Sequence, residues 1–424
     1  MTSPPETLPV LSDGIERQTL QQLRGRFLAV NQGRMGRAME GLAPGQQSLL
    51  RLLALFFHVN HPLLPGYVSA CTPAGVTGYE PDAPTLAAAQ QLIRGFACSM
   101  GSACASEPIH GLFLMGSLGT LAQTDQSDMD VWICLGPDLS DVALAALRKK
   151  CRRLEVWAAS QGVEAHFFLI DAQRFAQGEC VSQPSHGDSA KPRNTLLLDE
   201  FYRTAIWLAG RTPMWWWVPA HEEARYAEFA QGLLANDVVG CDETIDLGHL
   251  AQIAPGEFLG AGLWQLFKGI ESPYKSLLKL LLVEVYASEH PQVNCLSLSF
   301  KQTVYANRLD LDELDPYVVV YRRIEQYLQG RGELQRLELV RRSLYLKVGH
   351  KLSGSETGMQ WQRRLLQRLT REWGWNEQHL AMLDNRSRWE AQQVSHELRA
   401  LARELSVSYR SLSQLARDEP VPAW

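Results

Sequence analysis

The sequence predicts an α+β protein: a small mixed sheet with helices, preceded by a helical segment and followed by a mainly helical domain. Three observations carry this. Short apolar runs of strand length, bounded by Gly, Pro or acids, alternate with helical patterns only between about residues 109 and 218. On either side, apolar residues recur at three/four spacing. A chain of 424 residues is also long enough for more than one core, at roughly 100–200 residues per domain. The division expected is 1–94, 95–218 and 219–424.

In order, ERQTLQQLRGRFLAVNQGRMGRAMEGL and PGQQSLLRLLALFFHVN read as two helices over about 16–58. The Pro- and Gly-rich HPLLPGYVSACTPAGVTGYEPDAP is a long connection, and a helix follows around 85–99. IHGLFLMG is a strand ending in Gly116-Ser117, with a segment after it that can open a helix. DMDVWICL (128–135) is a second strand, 140–161 a helix, and VEAHFFLID (163–171) a third strand. The polar stretch Gly178–Asn194 is a surface loop, and LLLDEFYRTAIWLAG a helix stopped near Gly210. From about 222 onward the pattern is almost wholly helical.

Composition limits the function classes. With 41 basic and 46 acidic side chains the formal charge is −5, which lacks the basic excess of a nucleic-acid binder. The eight cysteines are scattered without a C-x-x-C pair, so they read as reduced and mostly buried. The start MTSPPETLPVLSDG is not a signal peptide, and the apolar stretch around Leu277–Tyr286 is far short of the roughly 20 residues that span a bilayer. A cytoplasmic protein without a membrane span is expected.

Three pieces carry chemistry. Gly116, with Ser117, lets backbone approach a phosphate. Asp128 and Asp130 are i and i+2 on a strand, so their carboxylates share a face roughly 7 Å apart. Such a pair repels unless a cation lies between, and magnesium (Mg2+) takes one or two carboxylates plus substrate phosphates; manganese (Mn2+) is the alternative. Glu164 and His166 share one face of the third strand, with Ala165, Phe167 and Leu169 on the other. Each piece alone has a plain reading: a turn, a solvated strand edge, an exposed strand start.

Strand, Gly-Ser, Asp-x-Asp strand and a later carboxylate together resemble the nucleotidyltransferase superfamily of DNA polymerase β. The resemblance implies that the Gly-Ser segment holds a triphosphate. It also implies that Asp128 and Asp130 bind metal ions, with Glu164 completing the second metal site and helping to take a proton from the attacking hydroxyl. MGSLGTLAQTDQSDMDVWIC, GVEAHFFLID, LLLDEFYRTAIWLAG and EFLGAGLWQLFKGIESPYKSLLKLLLVE narrow it: the chain resembles the class I adenylate cyclases from about residue 20 to 415. That family favours tyrosine and phenylalanine where Phe258 and Leu259 stand, and tyrosine at Phe267, so no polar role is expected there. The resemblance implies conversion of ATP to 3′,5′-cyclic AMP. It also implies a regulatory protein acting through a long C-terminal half that this sequence lacks, making the chain a catalytic fragment. A transferase with a separate acceptor and a non-catalytic nucleotide sensor stay open.

In the helical part, Ser272 reads as an N-cap with Pro273 at the first helical position. Lys275 and Lys279 then lie four apart on one face, a seat for phosphates or two snorkelling lysines. Arg203 can reach phosphate or pair with Asp199, the pair being the stronger reading, and His166 can contact nucleotide. Trp215, Trp216 and Trp217 cannot share a face, which favours core over adenine stacking. His58 and His61 read as packing or capping residues. The helix from Trp389 to Arg417 carries Val394, Leu398, Leu401, Leu405, Leu412 and Leu415 on one stripe, to dock on this protein or on a second copy in a homo-oligomer.

Overall fold

The computed structural model describes residues 17–96, 107–137, 139–177, 195–250, 253–354 and 360–418. Helices α1 (Arg17–Glu40), α2 (Pro44–His58) and α3 (Ala83–Leu92) come first. Strands β1 (Ile109–Met115) and β2 (Met129–Leu135), helix α4 (Asp141–Ser160), strand β3 (Ala165–Asp171) and the short α5 (Ala172–Ala176) follow. Then come α6 (Thr195–Thr204), β4 (Ile206–Gly210), β5 (Thr212–Pro213), α7 (Tyr226–Ala235) and β6 (Thr244–Ile245). The rest is helical: α8 (Pro255–Lys268), α9 (Pro273–Glu289), α10 (Leu296–Tyr305), α11 (Pro316–Gly330), α12 (Leu334–Val348), α13 (Gln360–Glu372), α14 (Glu377–Asp384) and α15 (Ala391–Asp418).

Local chemistry sets many of the boundaries. Pro44 opens α2, where the Gln46 side chain accepts from the Ala43 N–H. Asp82 and Ser140 cap α3 and α4 through the Thr85 and Ala143 N–H groups. Asp315 caps α11 by accepting from Tyr317 and Val318. Gly349, at φ 74°, ends α12 in the left-handed conformation. Ser272 occupies the N-cap of α9 as expected, but its side chain makes no capping bond.

The four-stranded sheet has the order β3-β2-β1-β4. β2 runs antiparallel to β1 and parallel to β3, and β4 is antiparallel to β1, so the sheet is mixed. Both faces are covered. Met129, Val131, Ile133, Ala165 and Phe167 pack with α2 and with Leu147, Cys151 and Leu154 of α4. Phe113, Trp132 and Cys134 face the other way, onto Leu23 and Phe27 of α1 and Phe201 of α6. A separate core centres on α9, buried along most of its length and wrapped by α8, α11, α12 and α15.

Several expectations need correction. The run LLLDEFYRTAIWLAG is not one helix: α6 ends at Thr204, and Ile206–Gly210 is a strand. The free edge of β1 recruits it, and a β-branched and aromatic pair, Ile206-Trp207, suits that edge. No helix follows Gly116-Ser117; residues 116–128 form a turn-rich loop, with Gly119 at φ 73°, where a Cβ would stand 2.6 Å from the Arg34 carbonyl oxygen. The helix read at 85–99 stops at Leu92, and the loop read at Gly178–Asn194 lies outside the described residues. Cys134, Cys151 and Cys295 are buried, whereas Cys71 and Cys241 are exposed; Cys98, Cys104 and Cys180 lie outside the described residues.

The three tryptophans are all buried, Trp215 stacking on Tyr202 at 4.1 Å beneath Lys301, so they belong to the core. His58 accepts from the Val76 N–H, and His61 sits edge-on to Phe96; both are packing residues. The last helix docks on its own domain through Leu401, Leu405 and Leu412, leaving Val394 and Leu398 exposed. No helix among the described residues is long and apolar enough to cross a membrane.

Candidate active site

The site lies at one end of the sheet, where β1 runs out and β2 begins. Met115 pairs with Asp130 in the antiparallel register, so Gly116 follows β1 directly beside the acids. Gly116 has φ 103°, a conformation that L side chains rarely adopt. A Cβ built there would stand 3.8 Å from Asp130 Oδ2 and 3.9 Å from Asp128 Oδ1. Main chain and both carboxylates therefore border one small space beside Gly116. Gly116→Ala meets no clash but strains the backbone, and it is expected to cost about 1–3 kcal/mol of unfolding free energy in denaturant titration. An unchanged midpoint would show that the conformation is not enforced.

Asp130 is half-buried, and its carboxyl is pushed up to about 6 by burial and then by Asp128. His166, Lys275 and Lys279 pull in the other direction. The charges of Lys275 and Lys279, on the first two turns of α9, thus reach Asp130 at the end of the sheet. His166 reaches Asp130 because the parallel register sets them side by side.

Glu164 departs from expectation. The strand begins one residue later, at Ala165, and the Glu164 carbonyl accepts from the Met129 N–H. Its side chain is exposed and lies 3.1 Å from His166 Nε2 rather than in a cluster with Asp128 and Asp130. Among the described residues no three His, Cys, Asp or Glu side chains are grouped to hold a metal ion. The aspartate pair itself fits a hard divalent cation: two adjacent oxygen donors, one of them held up by burial and by its neighbour's charge, beside a glycine cradle. Ser117 is buried, and its hydroxyl is engaged with Ser127 Oγ at 2.9 Å.

The loop after Ser117 is held by the helical domain. Gln362 of α13 donates to the carbonyls of Thr120, Leu121 and Gln123 at 3.0, 3.0 and 3.1 Å. Asp315 accepts from the Leu121 N–H at 2.6 Å. Within the loop, Gln123 accepts from Gly119 N–H and donates to the Ala38 carbonyl. Backbone groups of an irregular segment are thereby satisfied without a helix or ladder.

With this geometry in hand, comparison with known proteins gives a consistent answer. Residues 19–216 match the family model described as "Adenylate cyclase NT domain", and residues 253–423 match "Adenylate cyclase, class-I, second domain". The chain belongs to the class I adenylate cyclase family. The adenylate cyclases of Escherichia coli O157:H7 and Escherichia coli K12 are each 40% identical to it over 399 residues, covering 94% of this chain and 47% of theirs. That of Proteus mirabilis is 36% identical over 404 residues, covering 94% and 46%. The chain spans about half the length of the curated relatives it matches. No solved structure matches it.

In this class I adenylate cyclase chain, Arg203 is buried and pairs with Asp199 at 3.9 Å. Lys279 is already engaged, its Nζ 2.8 Å from Glu200 Oε1. Burial opposes the charge on Glu200, but Lys279 and Arg203 hold its carboxyl down at about 2. The reading of the sequence missed Glu200 and also Lys347, whose burial lowers its ammonium while Lys275 presses on it and Asp128 supports it. Glu200 was hidden inside the helix signature of α6. Lys347 had one usable signal, a lone lysine between Leu346 and Val348 on an otherwise core-facing turn.

Proposed function

We propose that this chain converts ATP to 3′,5′-cyclic AMP and pyrophosphate on a DNA polymerase β-like nucleotidyltransferase core, with ATP between the sheet end and α9. The observation that carries the reading is the meeting of Gly116, Asp128 and Asp130 in one space, faced by Lys275 and Lys279 from the second domain. In this reading Gly116 admits the triphosphate close to main chain, and the Ser117–Ser127 bond stiffens the loop behind it. Asp128 and Asp130 hold magnesium, with manganese as the alternative. The ion, when bound, supplies charge neutralisation at the α-phosphate and the leaving group.

Lys275 and Lys279 neutralise the β- and γ-phosphates. The Lys279–Glu200 pair is about one-third exposed on each side, and when Lys279 turns to a phosphate the charge of Arg203 still offsets that of Glu200. The ribose 3′-oxygen attacks the α-phosphorus, a new O–P bond forms, the bond to the bridging oxygen breaks, and pyrophosphate leaves. Glu164 is assigned the proton of the 3′-hydroxyl; being exposed, it can leave His166 readily. His166 then remains free for the nucleotide. Arg203 acts only as a positioning residue, through Asp199 and Glu200.

The test is to incubate the purified chain with ATP and magnesium and identify products by mass. Cyclic AMP and pyrophosphate in equal amounts are expected. An adenylated acceptor would move the chain to another nucleotidyltransferase class, and unchanged ATP would defeat the proposal. Glu164→Gln is expected to lower kcat by roughly 10²–10⁴-fold, the usual worth of a general base, with KM little changed. A wild-type rate in that variant would remove Glu164 from the chemistry.

A further inference from the structure

We propose that Lys347 is a phosphate-binding residue of this site, clamping the pyrophosphate end of the triphosphate together with Lys275. The inference rests on the nucleotide reading above and extends it to a helix, α12, for which that reading assigns no contact.

Lys347 lies on the last turn of α12, between residues that pack into the helical core. Its Nζ donates to the Ala122 carbonyl at 3.4 Å, a long bond. That carbonyl sits among the Thr120, Leu121 and Gln123 carbonyls held by Gln362, so the ammonium stands against the loop that follows Gly116-Ser117. An ammonium has three donors, and one long bond leaves most of that capacity unused.

Charge makes the same point. Two other lysines have carboxylates, Lys279 with Glu200 at 2.8 Å and Lys301 with Glu223 at 3.4 Å, while the buried Lys150 of α4 has none within 4 Å among the described residues. Among the described residues neither Lys347 nor Lys275 has a carboxylate within 4 Å, and the two repel each other. Asp128 is the acid whose field offsets this at Lys347. If Asp128 is occupied in holding a cation, as proposed above, that compensation is spent. Two partly desolvated ammonium groups then need another anion. A pyrophosphate group supplies several negative oxygens at once and satisfies both.

The experiment compares the full 424-residue chain with Lys347→Met, Lys347→Gln and Lys347→Arg. Calorimetric binding of inorganic pyrophosphate with magnesium is measured beside kcat and KM for ATP. The expected result is a tenfold or greater loss of pyrophosphate affinity and a raised KM in Lys347→Met, with Lys347→Arg recovering most of both. Melting curves show whether Lys347→Met folds; if it does not, Lys347→Gln against Lys347→Arg carries the comparison. Pyrophosphate affinity within twofold of wild type in the uncharged variants would overturn the inference and leave Lys347 as a loop staple, as would absence of pyrophosphate binding by the wild type. Lys347-dependent pyrophosphate binding without cyclic AMP formation would instead defeat the proposed function and leave this inference standing.

Discussion

Asp130→Asn is expected to lower turnover by at least about 10³-fold while leaving the protein as stable as before or more so. The two effects have one cause. Burial and Asp128 hold the Asp130 carboxyl up near 6, so ionising it costs folding free energy. The sign follows from linkage: a folded value above the unfolded one means that the folded state binds more protons between about pH 4 and 6. This contribution to stability is complete below pH 4 and is lost as the pH rises through 6. Asparagine removes the charge and with it a penalty of about 1–2 kcal/mol at neutral pH, after discounting for partial solvent contact. Thermal melts at pH 5 and pH 8 check it: the variant's advantage over wild type is expected at pH 8 and to shrink at pH 5. Near-wild-type cyclic AMP production by Asp130→Asn would remove the aspartate pair from the mechanism.

The largest stability effect is expected far from those acids. Arg336 of α12 donates to Glu284 of α9 at 2.8 Å and to Glu404 of α15 at 2.5 Å, and also contacts Glu333 and Ser408. Glu284 and Glu404 are both buried. Arg336→Ala would strand two buried carboxylates against each other, and about 3–5 kcal/mol of unfolding free energy is expected to go. Arg336→Lys recovers charge but not the fork and is expected to fall between. Denaturant titration measures both, and a loss under about 1 kcal/mol would mean that water replaces the guanidinium.

Much of this was legible in the sequence. The strand of Met129–Leu135 and the strand of Ile109–Met115 announced themselves by short apolar runs between breakers, and α4 by its length and its Ser140 cap. Asp130 lies on β2 as read, whereas Asp128 stands one residue before the strand begins, and both still border the space at Gly116. What failed did so for tertiary reasons. Ile206–Gly210 continues a helical pattern, and only the open edge of β1 turns it into a strand. The bonds among Gln362, Asp315 and residues 120–123 join positions nearly 200 or more apart, which periodicity cannot register. Alternation placed Glu164 beside His166, and the two side chains do meet at 3.1 Å, but it gives a face and not a rotamer, so it could not show that Glu164 stands apart from the aspartates.

The Gln362 amide, gripping three carbonyls of residues 120–123, has a consequence for genetics. The shape of the segment beside Gly116 is written partly in α13, so damage there would present itself as lost catalysis although no reacting atom is near. A mutational scan of this chain should return inactive, well-folded variants clustered around Gln362, and they would be misread as direct participants. The signature separating them is that Gln362→Asn, which withdraws the amide by one methylene from those three carbonyls, is expected to lower the rate without touching an acid or a lysine.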